Sequence, residues 1–100
     1  MADRQILRDI LRGIVPNVYY QPPESKKLSY PCIVWSLNRI DPTHADNTTY
    51  MQDKSYQLIL IHKDPDNVEV DQIAALPRCR MDRSPYQSNN MYHYPFTIYF

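Results

Sequence analysis

In the opening stretch DRQILRDILRGI, apolar residues fall at Ile6, Leu7, Ile10, Leu11 and Ile14. That spacing lines one face of a helix and turns Arg4, Arg8, Asp9 and Arg12 outward. Asp3 is placed to cap the helix, and Gly13, the single glycine of the chain, to stop it ahead of Pro16. The pattern then changes to a period of two. NVYYQ reads as a short strand, PPESKK as a polar loop, and YPCIVWSLNRI as a longer strand. In that longer strand Cys32, Val34 and Ser36 alternate with Ile33, Trp35 and Leu37, and neither face is strongly polar, which predicts a central position.

The run DPTHADNTT, over 41–49, consists of turn formers and predicts a wide polar loop. YMQDKSYQLILIHK then returns as a strand centred on 56–61, completing a long hairpin. DPDN signals a turn and a helix start, with Asp64, Asp66 or Asn67 as the cap. A second helix is predicted over NVEVDQIAAL as far as Pro77, with Val70, Ile73, Ala74 and Leu76 facing inward. RCRMDRSPYQ reads as a strand and a short connection, and MYHYPFTIYF as the closing strand. The order α-β-β-β-α-β-β predicts an α+β fold: a mainly antiparallel twisted sheet with two helices packed on it, as one domain over 1–100. With one glycine available, tight primed turns are disfavoured and the hairpin loops are expected to be long.

Composition narrows the function more than the fold. Hydrophobic residues make up 43% and charged residues 22%, the balance of a folded globular chain rather than a disordered one. Eleven basic and eleven acidic residues cancel, so no net field draws the chain to nucleic acid or an anionic membrane. Tyrosine is the outlier, 9 residues against 2 Phe and 1 Trp, and tyrosine is enriched at protein–protein contacts. MADRQILRDILRG carries charges throughout and holds no apolar run long enough for a signal or a membrane span, so a cytoplasmic site of synthesis is expected. Cys32 and Cys79 belong to no CxxC or Cys/His cluster and read as buried free thiols.

Catalytic signatures are sparse. One glycine excludes phosphate-cradling and dinucleotide loops, which need several. His44, His62 and His93 show none of the spacings of a metal-binding pair. His62, Asp64 and Asp66 in HKDPD have the residue types of a cation site, but a strand end, a proline turn and a helix cap account for them more simply. The expectation is a non-enzymatic protein without metal or cofactor. Lys26 and Lys27 near Tyr19, Tyr20 and Tyr30 form a weak single-strand platform, set against a neutral charge and interleaved acids. Arg78, Arg80 and Arg83 in RCRMDR make one strand face basic, suited to an opposite charge on a neighbouring strand or subunit.

The stretches LSYPCIVWSL, ADNTTY, YQLILIHKDPDN, ALPRCRMDR and NNMYHYPFTIYF, in that order and spacing, resemble the tail-completion, or tail-terminator, proteins of long-tailed bacteriophages. The resemblance covers about the last three-quarters of the chain, and the leading amphipathic helix fits it. It implies a non-enzymatic structural protein of the virion neck, assembled in the host cytoplasm. Such proteins form a six-membered homo-oligomeric ring on the head-proximal end of the tail tube. The ring stops tube polymerisation and meets the head connector, with DNA only in transit through its lumen. A head-completion or connector protein of the same neck region is the alternative, and a non-phage binding module a more distant one. The aromatic segment 92–100 is expected to be held by its own sheet, a neighbouring subunit, or both. Tyr92, Tyr94, Phe96, Tyr99 and Phe100, with Arg78, Arg80 and Arg83, are the candidates for the subunit seam. His44, Asp46, Asn47 and Tyr50 in the hairpin tip, with Lys26 and Lys27, are the candidates for contact with tube or connector.

Overall fold

The computed structural model describes residues 4–22, 25, 27–45 and 48–100, and for 40–53 the backbone alone. The elements are α1 (Arg4–Arg12), β1 (Asn17–Tyr20), β2 (Cys32–Ala45), β3 (Thr48–His62), α2 (Glu69–Ala74), β4 (Cys79–Met81), β5 (Tyr86–Ser88) and β6 (Met91–Tyr99). The strands form one sheet in the order β1-β2-β3-β6-β4, with β5 also paired to β6. All pairings are antiparallel except β1 with β2, which is parallel. The fold is α+β, with the expected order extended by one short strand, β5.

The period-two alternation places one side-chain row behind another across the sheet. Ile33, Leu60 and Tyr94 share a register row, Trp35, Leu58 and Phe96 the next, and Leu37, Tyr56 and Ile98 a third. Apart from Leu37, which is exposed, those rows form the core with Leu7, Leu11 and Val15 from the first helical segment and Ile73 from α2. Tyr20 meets Trp35 edge-on at 4.8 Å, and Tyr56 lies 5.4 Å from Trp35 on its other flank. Burying such rings removes a large apolar area from water, at roughly 25 cal/mol per Å².

The α1 face is narrower than its sequence pattern. Leu7 and Leu11 are fully buried, but Ile6 is 53% exposed and Ile10 39%. A helix lying flat on a sheet covers only the stripe one turn apart, and the flanking apolar positions stay at its margin. Gly13 follows the last helical residue as expected, but its φ is not left-handed. Its N–H still reaches back to the carbonyls of Asp9 and Ile10, and the turn continues to Val15, whose N–H bonds the Leu11 carbonyl. The stop is therefore Pro16, which has no N–H to offer. Asp3, the expected cap, lies outside the described residues. In α2, Ile73 is buried and Val70 and Leu76 are half-buried, while Ala74, expected inside, is exposed.

Two loop expectations are overturned. The wide loop at 41–49 is mostly strand: β2 continues to Ala45, β3 begins at Thr48, and the two residues pair. Ile40, Thr43, Thr48, Thr49 and Tyr50 are β-branched or aromatic, and their preference for a pleated ribbon prevails over the turn formers among them. The β5–β6 hairpin is also tight, with Ser88 opposite Met91. Its two linking residues, Asn89 and Asn90, have φ of 54° and 62°. Asparagine tolerates the left-handed region well enough to make a primed turn where glycine is lacking. Replacing Asn90 with Val is expected to lower unfolding free energy by about 1–2 kcal/mol, and replacing it with Gly to leave it unchanged or raised, by urea denaturation followed through Trp35 fluorescence.

The β arm, the α2 turn and a groove as candidate contact surfaces

β1 pairs with β2 only as far as Trp35, and β6 pairs with β3 only from Ser55 onward. The Lys54 carbonyl still accepts from the Phe100 N–H at 2.9 Å. From Asp41↔Asp53 to Ala45↔Thr48 the two long strands pair, among the described strands, only with each other, as a ribbon beyond the sheet. The molecule measures 51 × 27 × 22 Å, with a radius of gyration of 14.7 Å. A compact chain of this length has a radius near 13 Å, so the ribbon stands out as an arm. The register slips by one residue between Leu37 and Arg39. The Asn38 amide left over at that bulge donates to Ser55 Oγ at 3.4 Å. Bulges bend a strand and sharpen its twist, so this one sets the angle at which the arm leaves the sheet. His44 and Tyr50 lie on the arm's backbone, whereas Asp46 and Asn47 at its tip, and Lys26, lie outside the described residues.

The seam candidates separate into two groups. Phe96 is 0% exposed and Tyr94 is buried, both packed in the chain's own core, so neither is left to contact a partner. Nor does the closing strand offer a free edge, because β6 is flanked by β3 on one side and by β4 and β5 on the other. The correction follows from sheet order: an aromatic strand paired on both edges has its backbone already used. Tyr92, Tyr99 and Phe100 remain half-buried, and Arg78, Arg80 and Arg83 are exposed. Arg78 lies over the Tyr99 ring at 5.6 Å, and Arg83 over Tyr86 at 5.8 Å. Tyr86 in turn stacks on His93 at 4.9 Å. Sequence reasoning missed β5, and with it this stack.

Near the β1–β2 loop Tyr19 and Tyr20 are engaged in packing, whereas Tyr30 is exposed. Arg4 covers the Tyr20 ring at 4.2 Å, and the Ser29 N–H donates to Tyr19 Oη at 3.1 Å. Lys27 is exposed. A ring covered on its face by an arginine presents little surface for a base to stack on.

The HKDPDN turn is built as a helix entry. The Asp64 N–H donates to His62 Nδ1 at 3.0 Å, and His62 Nε2 lies 3.4 Å from Glu69 Oε2. Asp64 Oδ1 accepts from the Asp66 N–H at 3.0 Å. Of the three candidate caps, Asn67 caps the helix itself. Its Oδ1 accepts from the Val70 N–H at 2.9 Å, and its Nδ2 donates to the Asp64 carbonyl at 2.8 Å. Among the described residues, no three His, Cys, Asp or Glu side chains gather closely enough to hold a metal ion.

Beyond the other end of α2, a groove of about 270 Å³ opens between Leu7 and Ile10 of α1, Leu76 and Pro77 after α2, and Ile98 and Phe100 beside β6. Arg78 stands at its margin with a left-handed φ of 59°. The groove's walls are almost entirely apolar, with Arg78 and Tyr99 the polar-tipped side chains among its described lining residues. Nothing in the residue spacing pointed to this groove.

Both cysteines are free. Cys32 is buried and Cys79 half-buried, and burial pushes both thiols up to about 11 from 9.0. No described helix is long and apolar enough to cross a membrane. No family model matches the chain, and no curated protein matches it.

Asn67→Ala removes a cap and leaves the Val70 N–H without its acceptor, and is expected to cost about 1–2 kcal/mol of stability in urea denaturation. Asp66→Ala should change it far less, since Asp66 contributes a backbone donor to the turn. The folded thiols keep their protons from pH 9 toward 11, while unfolded ones lose them. Stability supplied by the buried neutral thiols is thus intact below pH 9 and falls as pH rises toward 11, which alkaline denaturant titration reads directly.

Proposed function

We propose that this protein is a structural component of a phage tail, a terminator that assembles as a ring on the head-proximal end of the tail tube. There it stops tube growth and joins the tail to the head connector. The observation that carries the reading is the β2–β3 arm: a paired ribbon whose backbone runs on beyond the sheet. Such an extension costs chain ordering, and a partner that the ribbon reaches supplies the return. The sequence resemblance supports the same reading, as do the neutral net charge and the content of nine tyrosines. A ring of identical copies needs one surface to meet a different surface on the next copy, and the molecule has differently charged surfaces to offer.

In this reading the arm, with His44, Asp46, Asn47 and Tyr50, reaches tube or connector. The half-buried Tyr92, Tyr99 and Phe100, with Arg78, Arg80 and Arg83, border the neighbouring copies. DNA passes through the lumen without a built site, and no cofactor or catalysis is involved.

The test is native mass by light scattering together with electron microscopy, for the protein alone and mixed with polymerising tail tubes. A closed species near six times the 11.9 kDa chain, and tubes of reduced length capped at one end, are expected. Deleting 41–52, with a short turn in place of the arm, should leave a cooperatively folded domain by urea denaturation followed through Trp35 fluorescence and abolish capping. A protein that neither rings nor caps would sink the proposal. A ring that binds the connector and leaves tube growth unchanged would move the protein to the stopper side of the neck.

A further inference from the structure

We propose that the groove beyond α2 receives Val68 of a second copy of this chain, with Arg78 meeting the acidic residues around it. The contact rests on the ring reading above and supplies its subunit seam. Val68 is the most exposed large apolar residue described, 64% accessible, just before α2 begins. Exposed Asp64, Asp66 and Asp71 surround it in sequence. An aliphatic side chain standing out of an acidic turn has no purpose in the core, since Ile73 and half-buried Val70 already anchor this helix.

The groove is the counterpart in shape and charge. Its walls are Leu7, Ile10, Leu76, Pro77, Ile98 and Phe100, and Ile10 is 39% exposed there. Residues 64–71 contain four acids and no lysine or arginine, whereas 78–83 contain Arg78, Arg80 and Arg83 against Asp82 alone. Val68 and the groove sit at opposite ends of α2, a helix of six residues or about 9 Å, so one copy cannot fill its own groove. Like-with-like pairing would set acid against acid. Groove and knob on different ends, joined in series, give the head-to-tail contact from which rings close.

The experiment mixes two single variants, V68C and I10C, at high concentration, with a short bismaleimide linker at pH 7. Cys32 is buried and Cys79 half-buried, so wild-type protein serves as the background for any reaction of the native thiols. Linked V68C–I10C heterodimer is expected to form at least tenfold faster than V68C–V68C homodimer. The charge swap R78E should abolish the preference, and R78E mixed with D66R should restore it. Because R78E changes a strained position, R78G is the second variant. Glycine accepts the left-handed φ, so the subunit stays folded by circular dichroism while the linking rate falls. Equal rates for the homodimer and heterodimer, or no linking above wild type, would overturn the seam. A V68D protein that still forms rings would also overturn it, and would leave the ring reading standing on another surface. Loss of rings and of capping in wild-type protein removes the ring reading itself.

Discussion

β3 and β6 pair over eight successive positions, from Ser55↔Tyr99 to His62↔Tyr92, and this ladder positions every other element. It brings Leu58 against Phe96 and Leu60 against Tyr94, which with Trp35 and Ile33 make the rows on which α1 rests. β6 is central and contains Pro95, a residue with no N–H to give to a ladder. The sheet accommodates it by leaving a gap. β4 pairs with 96–98 and β5 with 91–93, so the side of β6 at Pro95 faces the connection between them. Along a strand, a residue's N and O point the same way, and the Pro95 carbonyl accepts from the Asp82 N–H in that connection. The missing donor therefore falls where no strand requires one. A single long partner strand on that edge is ruled out by one residue, which is why two short strands stand in its place.

The same ladder separates the molecule into a core and two outward features. Where β6 ends, β3 loses its second neighbour and becomes one half of the arm, with the Asn38 bulge at its root. Where β3 ends, at His62, the chain turns through the Asn67 cap into α2 and leaves Val68 outside. The arm and the acidic turn thus lie at opposite ends of one strand. A flat patch on a single face would favour two-fold pairing, whereas unlike features at opposite ends favour serial contacts.

Much of the fold was legible from the residues. The apolar, β-branched runs in YPCIVWSLNRI and YQLILIHK marked both as strands, while their register, in which a one-residue slip would turn Trp35 and Leu58 to the other face, was set by the folded sheet. The DPDN signal located the second helix, although Asn67 rather than either aspartate caps it. The arm was hidden because DPTHADNTT is dense in turn formers, and the β-branched residues among them are too scattered to mark a strand. β5 was hidden because three residues carry no period. The groove draws on α1, the turn after α2 and β6, which are distant in sequence and have no shared local pattern.

By itself, then, the sequence determined most of the element types and the α+β class. Those properties depend on local preference and on a period of two or 3.6 that a short window contains. Which edge of β6 was free, whether Phe96 faced a partner or the core, how far the hairpin ran beyond the sheet, and where Ile10 met Phe100 were decided only by the tertiary structure. Each depends on strand order and on contacts between segments tens of residues apart. No local energy distinguishes those arrangements until the sheet is assembled.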